Sequence, residues 1–481
     1  MEKAAGEDEV VEERETAASS AGAPPGKKRK RVEASGAGIC DDILSNILAR
    51  LPTRSAVASM ALSKHHHALN CSPEFRSLHC RLGAPLPRPH IAYVAAAAIR
   101  RMPEHDPVSG YYSFHVAGGG VKTNDDDPIR VLSGGRYLET SCANTCDGIV
   151  VLSCKEFSSS CRCTLWNPAV ADDAVEVIIS TFPGLSPESE CIVLGLGRGR
   201  RSETYKMLVS RKDNTRYIGG GKLSGCREKW RSDYALLLIS APGDAHRQQD
   251  ARLLTVLPTP PSSKEEINLK SLKSLYIDGT IYLLHHIDAA SWRGRPQLFE
   301  MSGRLCVVAI DYYRRTVWML TADQQWERRC VIAEEGDSYL HDILYGAPII
   351  GIWDYGDVLL LLFEGWRDGI DRLCMYHVAT ETMYRANLPC DLNLQVSDYE
   401  ICWGYRPTLL SPGSIVGELN QVNKEPRRHL SAEVMKLLTP VKEQDRRKGR
   451  KATVHTVCFM EFLVYIMRKL PHDMQDLIGV P

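Results

Sequence analysis

The spacing of hydrophobic positions changes character along this chain. Between residues 39 and 82 it is helical. Ile43, Leu44, Ile47, Leu48 and Leu51 form one apolar stripe. Asp41-Asp42 precede that stripe and favour a helix N-terminus, and Pro52 stops the helix. Ser55 is placed to cap a second helical region carrying Val57, Met60, Ala61 and Leu62. Lys64 to Asn70 predicts a third piece. Ser72-Pro73 opens a fourth, with an N-cap hydroxyl followed by Pro at the first helical position.

From about residue 141 to 411 the pattern becomes short apolar runs separated by turn residues. Predicted strands include Gly148–Cys154, Cys163–Trp166, Cys191–Leu196, Tyr205–Ser210, Leu305–Ile310, Val358–Phe363 and Leu373–Val378. Leu275 to Leu284 predicts a hairpin, because Asp278-Gly279 sits between two apolar runs. A loose repeat of turn, strand, loop and second strand begins near Cys146, Asp278 and Tyr355, and its second copy pairs Asp278–Leu284 with Leu305–Asp311. That is how propeller blades are written, and roughly 40–50 residues per blade would make five to seven blades. Residues 83–140 contain Pro85, Pro87, Pro89 and Gly118-Gly119-Gly120 and are expected to be a connector, within which His90–Ile99 reads as either a strand or a helix. Residues 412–481 turn basic and helical, with Phe459, Phe462, Leu463, Ile466 and Met467 on one helix face. The expected fold class is therefore α+β multidomain: a small N-terminal helical module at 39–82, a mainly-β, propeller-like domain at 141–411 and a short helical C-terminal tail.

Composition sharpens this picture. Residues 1–38 are rich in Glu, Ala, Gly, Ser and Pro and are expected to be disordered. They carry Lys27, Lys28, Arg29, Lys30 and Arg31, five consecutive cations that read as a nuclear import signal. Lys plus Arg and Asp plus Glu both total 59, so a net charge of zero gives no whole-molecule attraction to nucleic acid. The chain start shows no basic segment followed by an apolar one, and Ala452–Met467 is interrupted by His455 and Glu461. A soluble protein of nucleus and cytoplasm, without membrane contact, is expected.

Candidate chemistry is sparse. The 16 cysteines include Cys142, Cys146, Cys154, Cys161 and Cys163, whose spacings fit zinc poorly and suit packing thiols. His65-His66-His67 cannot easily converge on one ion, because adjacent side chains on a helix diverge. Gly195-Leu196-Gly197-Arg198-Gly199 departs from a dinucleotide fingerprint and reads as a turn between strands. No Walker motif, nucleophile elbow or His-Glu-x-x-His is present. No catalytic residue, metal or cofactor is expected. Trp166, Trp230, Trp292, Trp318, Trp326, Trp353 and Trp403 fall in the β region, where structural and binding roles are both open.

Ile39 to Ser55, closed by Leu62-Ser63-Lys64 and Ser72-Pro73-Glu74-Phe75-Arg76, resembles an F-box. Cys146-Asp147-Gly148-Ile149-Val150 with Leu165-Trp166-Asn167-Pro168 resembles the F-box-associated, propeller-like domain of plant F-box proteins. The resemblance implies a non-catalytic substrate receptor of a Skp–cullin–F-box ubiquitin ligase. It would bind a Skp-type adaptor and, through it, a cullin scaffold, and recruit a protein target for ubiquitination and degradation. It places adaptor contacts at Ile43, Leu44, Ile47, Leu48, Leu51, Pro52 and Val57; target-binding residues are not identified. The family usually has Pro where Cys40 stands, an aliphatic residue at Ala56 and Trp at His66. Those departures motivate an alternative, a nuclear β-propeller scaffold that does not engage the ligase.

Overall fold

The structure is a computed structural model. It describes residues 40–100, 107–118, 130–154, 161–170, 174–179, 189–200, 203–218, 228–240, 252–257, 274–284, 296–311, 314–333, 347–365, 371–386, 399–419 and 443–470. The import-like cluster Lys27–Arg31 and the stretch expected to be disordered lie outside them. The chain divides into two compact units, Met1–Leu44 and Ser45–Pro481. Of the first, residues 40–44 are described: they open helix α1 (Asp41–Ala49), and Leu44 N–H donates to Cys40 O.

The second unit begins with the rest of the helical module: α2 (Thr53–Ser59), α3 (Lys64–Cys71) and α4 (Pro73–Leu82). Local chemistry sets the starts. Ser63 Oγ accepts from His66 N–H at the head of α3, and Ser72 Oγ accepts from Phe75 N–H at the head of α4. The second helix begins at Thr53, earlier than the expected cap at Ser55. Thr53 follows Pro52, whose extended backbone already positions the chain to enter a helix.

Antiparallel sheets follow. Strands β1 (Ile91–Ile99), β2 (Ser109–Ala117) and β3 (Arg130–Gly134) make the first. The second holds β4 (Thr140–Cys146), β5 (Ile149–Cys154), β6 (Cys161–Trp166) and β7 (Ala174–Ile179). The third holds β8 (Ser189–Arg198), β9 (Tyr205–Ile218), β10 (Glu228–Ser240) and β11 (Arg252–Leu257). A two-stranded sheet of β12 (Ser274–Ile277) and β13 (Thr280–Leu283) comes next. Then come β14 (Gln297–Met301), β15 (Arg304–Asp311), β16 (Arg314–Leu320) and β17 (Trp326–Ala333), followed by β18 (Ile349–Asp354), β19 (Val358–Phe363), β20 (Arg372–His377) and β21 (Thr382–Arg385). Four sheets are thus four-stranded meanders, as propeller-like blades are.

The first sheet is completed from far away: β22 (Tyr399–Ile401) pairs antiparallel with β1, Tyr93 opposite Ile401 and Ala95 opposite Tyr399. This corrects the expected connector at 83–140. The strand Ile91–Ile99, which the sequence left open between strand and helix, is Ala-rich and lacks alternation because both its faces are covered. Ile91, Tyr93 and Ala95 face one hydrophobic core, and Ala92 and Val94 face another. The repeat is corrected too. The Asp278–Leu284 run forms its own hairpin with Ser274–Ile277, while Leu305–Asp311 belongs to the next sheet.

Neighbouring sheets share their cores. Val150 and Leu152 meet Phe114 and Tyr112; Cys163 and Leu165 meet Val193 and Met207; Phe299 and Val317 meet Leu359 and Cys374. Two further helices follow the strands: α5 (Pro412–Leu419) and α6 (Glu443–Lys469). The latter, longer than a short tail, covers the seam between β1 and the β19–β20 pair with Phe459, Met460, Leu463 and Met467.

Gly195 and Gly197 lie inside β8, not in a turn. A Cβ on Gly195 would approach Ser274 Oγ at 2.3 Å, and one on Gly197 would approach Ile281 at 2.5 Å. Glycine is required because the β12–β13 hairpin presses directly on this strand.

Candidate functional site

Two surfaces of the second unit stand out. The first is the helical module, bonded to the stretch that follows β22. Thr53 Oγ1 donates to Pro407 O at 2.8 Å, and Arg406 donates to the carbonyls of Arg81 and Gly83. Arg81 reaches Glu203 at 3.9 Å, but both side chains are more than half exposed, so this pair adds little. Inside the module, Asn70 Nδ2 donates to Ser59 Oγ at 2.7 Å and to Ala56 O at 3.2 Å. Phe75, His79 and Cys80 are buried. Burial holds the His79 imidazole below its usual value and pushes the Cys80 thiol up to about 12, so both are neutral near pH 7.

The module also carries exposed apolar side chains. Six large hydrophobic side chains are exposed among the described residues of the second unit, and three lie in this module: Ile47 at 50%, Val57 at 40% and Leu62 at 71%. Single exposed apolar residues are ordinary; a concentration of them in one small module is the informative feature. Ile43, in the first unit, is 56% exposed. Of the other expected contact residues, Pro52 is exposed, Leu44 and Leu51 are half-buried, and Leu48 is buried at 7%. Leu48 is therefore a packing residue. The side chain at Leu62 is the most exposed of the set and was missed, because it falls after the stripe, in the turn that follows α2. Ala56 is fully buried, and His66 is half-buried with its Nδ1 2.8 Å from Ser63 Oγ.

The second surface is an open cleft of about 520 Å³. Its walls come from the segment before β1, the β14–β15 turn, the end of β18, the stretch after β22 and the end of α6. Trp353 and Trp403 lie in it with ring centroids 5.6 Å apart, and Phe299 braces Trp403 edge-on at 5.7 Å. Thus Trp353 and Trp403 are separated from Trp166, which is buried against Phe114, and from Trp326, which is 48% exposed. Glu300 Oε1 accepts from Gly303 N–H at 2.7 Å and its Oε2 from Gly404 N–H at 3.2 Å. Asp354 accepts from Gly356 N–H at 3.0 Å and pairs with Arg329 at 3.3 Å. Burial lowers the pKa of His90, whose Nδ1 lies 3.1 Å from Pro87 O, so it adds no charge near pH 7. Arg468 donates to Gly118 O at 2.9 Å.

One stretch touches both surfaces. After β22, Cys402 N–H donates to Ala92 O at 2.8 Å, Thr145 Oγ1 donates to Trp403 O at 2.6 Å, and Thr408 Oγ1 donates to Asp147 O at 2.6 Å. Cys402–Thr408 is therefore a strap that contributes Trp403 and Tyr405 to the cleft and Arg406 and Pro407 to the helical module.

Among the described residues, no group of three or more His, Cys, Asp and Glu is arranged to hold a metal ion. Among them, too, no helix is long and apolar enough to cross a membrane. No family model matches this chain, and no curated protein matches it.

Proposed function

We propose that this chain is a non-catalytic recruiting subunit of a Skp–cullin–F-box ubiquitin ligase. Its helical module docks a Skp-type adaptor, and its sheets hold a protein target for ubiquitination. The observation that carries this reading is the concentration of exposed apolar side chains in the module. The module is bonded to the strap through Thr53, Arg81 and Gly83, yet Ile47, Val57 and Leu62 keep large exposed surfaces. Its F-box-like pattern supplies the adaptor class, and Lys27–Arg31 supplies a route into the nucleus. The contribution to catalysis is proximity: a target held beside a charged conjugating enzyme reacts with its orientation entropy already spent.

Co-purification with a Skp-type adaptor tests this. Each buried aliphatic is worth roughly 1.5–3 kcal/mol, so Ile47→Asp with Val57→Asp lowers adaptor capture at least about a hundredfold. The thermal midpoint of the chain shifts far less than capture, because neither side chain is fully buried. Equal capture by the double variant would sink the assignment. Point substitutions are preferable to deleting residues 39–80, which would also remove Thr53 and its bond to Pro407 O.

A propeller-like interaction scaffold without the ligase is the second reading. It is favoured by Leu48, an expected contact that is buried, and by His66, where the family usually has Trp. Under it, the native chain captures no adaptor and His66→Trp creates capture.

A further inference from the structure

We infer that the cleft between the end of β18 and the strap is the target-binding site, and that it takes an acidic peptide segment carrying an aromatic side chain. The inference rests on the recruiting function proposed above and names the chemistry of what is recruited.

Three features carry it. First, the floor is aromatic: Trp353 and Trp403 stand 5.6 Å apart at 39°, and Phe299 holds Trp403 from behind. Such a pair offers a ring face for stacking at little entropic cost, since its rotamers are already packed. Second, the charges are unequal. Glu300 accepts one backbone N–H on each carboxylate oxygen and keeps its charge, and Asp354 is paired with Arg329. Arg88 and Arg468 line the same cleft and are exposed, and neither lies within ion-pair distance of a carboxylate among the described residues. Arg88, Arg468 and Arg329 against Glu300 and Asp354 therefore leave the cleft region with one positive charge in excess. Guanidinium forks suit bidentate carboxylates. Third, the cleft is open to solvent. Small-molecule pockets usually enclose most of their ligand, whereas an open trough suits a segment whose flanks continue into solvent.

Fluorescence anisotropy with the full chain tests this. The probe is a labelled nonapeptide with a central Phe flanked by Asp and Glu. Controls replace Phe by Ala, or the acids by Lys. Phenylacetate, as a free aromatic acid, is the competitor. The expected result is binding of the acidic Phe peptide at least about tenfold tighter than either control. Arg88→Glu and Arg468→Glu each weaken it by about tenfold, and the binding weakens with added salt. Indifference to the two arginine variants, or equal binding of all peptides, overturns the inference. Binding of phenylacetate without any peptide preference also overturns it, because the site then belongs to a free small molecule. Adaptor capture by the Arg88→Glu chain separates this idea from the function it rests on. Failed peptide binding with adaptor capture intact removes the cleft assignment alone. Failed capture with peptide binding intact removes the ligase assignment alone.

Discussion

Asp371 and His115 are buried side chains whose ionisation the fold opposes. Asp371 accepts from Gly365 N–H at 3.1 Å and from the Tyr399 hydroxyl, yet burial outweighs these bonds and raises its carboxyl from 3.8 to about 6. His115 stacks on Tyr93 at 5.2 Å, and burial lowers its imidazole from 6.5 to about 4. The signs are opposite. Between pH 3.8 and about 6 the folded state keeps a proton on Asp371 that the unfolded chain releases, so this contribution falls as pH rises. Between about pH 4 and 6.5 the unfolded chain binds a proton that folded His115 refuses, so that contribution grows as pH rises. Asp371→Asn should therefore gain on the native chain by about 1–2 kcal/mol as pH goes from 4 to 6.5, then hold level. Urea denaturation of both chains across that range reads the difference directly; a pH-independent difference would refute it.

Single elements are held to their neighbours by a few buried polar bonds. Asn144 on β4 accepts from Leu196 N–H at 3.0 Å and donates to Leu196 O at 2.8 Å, tying one sheet to the next. Asn144→Ala leaves both backbone groups without that partner and should cost about 2–3 kcal/mol, read as a lower urea midpoint. Gly195→Val should cost at least as much, since its Cβ would meet Ser274 Oγ at 2.3 Å. The same scale explains which elements were legible. Asp278-Gly279 foretold the hairpin because its turn needs positive φ at both residues, and they have φ of 46° and 79°. Asp147 and Gly148 repeat that geometry at 48° and 80°, which is why Cys146-Asp147-Gly148 read as the start of a strand pair.

At the scale of the second unit, the sheets are closed by the C-terminal part of the chain. β22 completes the first sheet, and Glu400 accepts from Cys142 N–H, joining that closure to β4. Helix α6 then covers the seam beside it with Phe459, which is fully buried. Phe459→Ala should cost about 3–5 kcal/mol with an unchanged denaturant slope, measured by urea unfolding. A change below about 1 kcal/mol would mean that the helix does not support the closure.

Local chemistry in the chain was enough for much of this protein. Helical spacing, Ser and Pro at helix starts, and Asp-Gly turns each act within a few residues, so helices, hairpins and most strands were readable in order. Whether a given apolar side chain faces solvent was not readable, because the same stripe holds exposed Ile47 and buried Leu48. β1 stayed ambiguous between strand and helix because a strand covered on both sides loses its alternation. Its partner β22 lies some three hundred residues away, and the cleft gathers five such distant stretches. No neighbour in the chain carries a signal for such meetings; they exist only once long-range packing has closed the sheets.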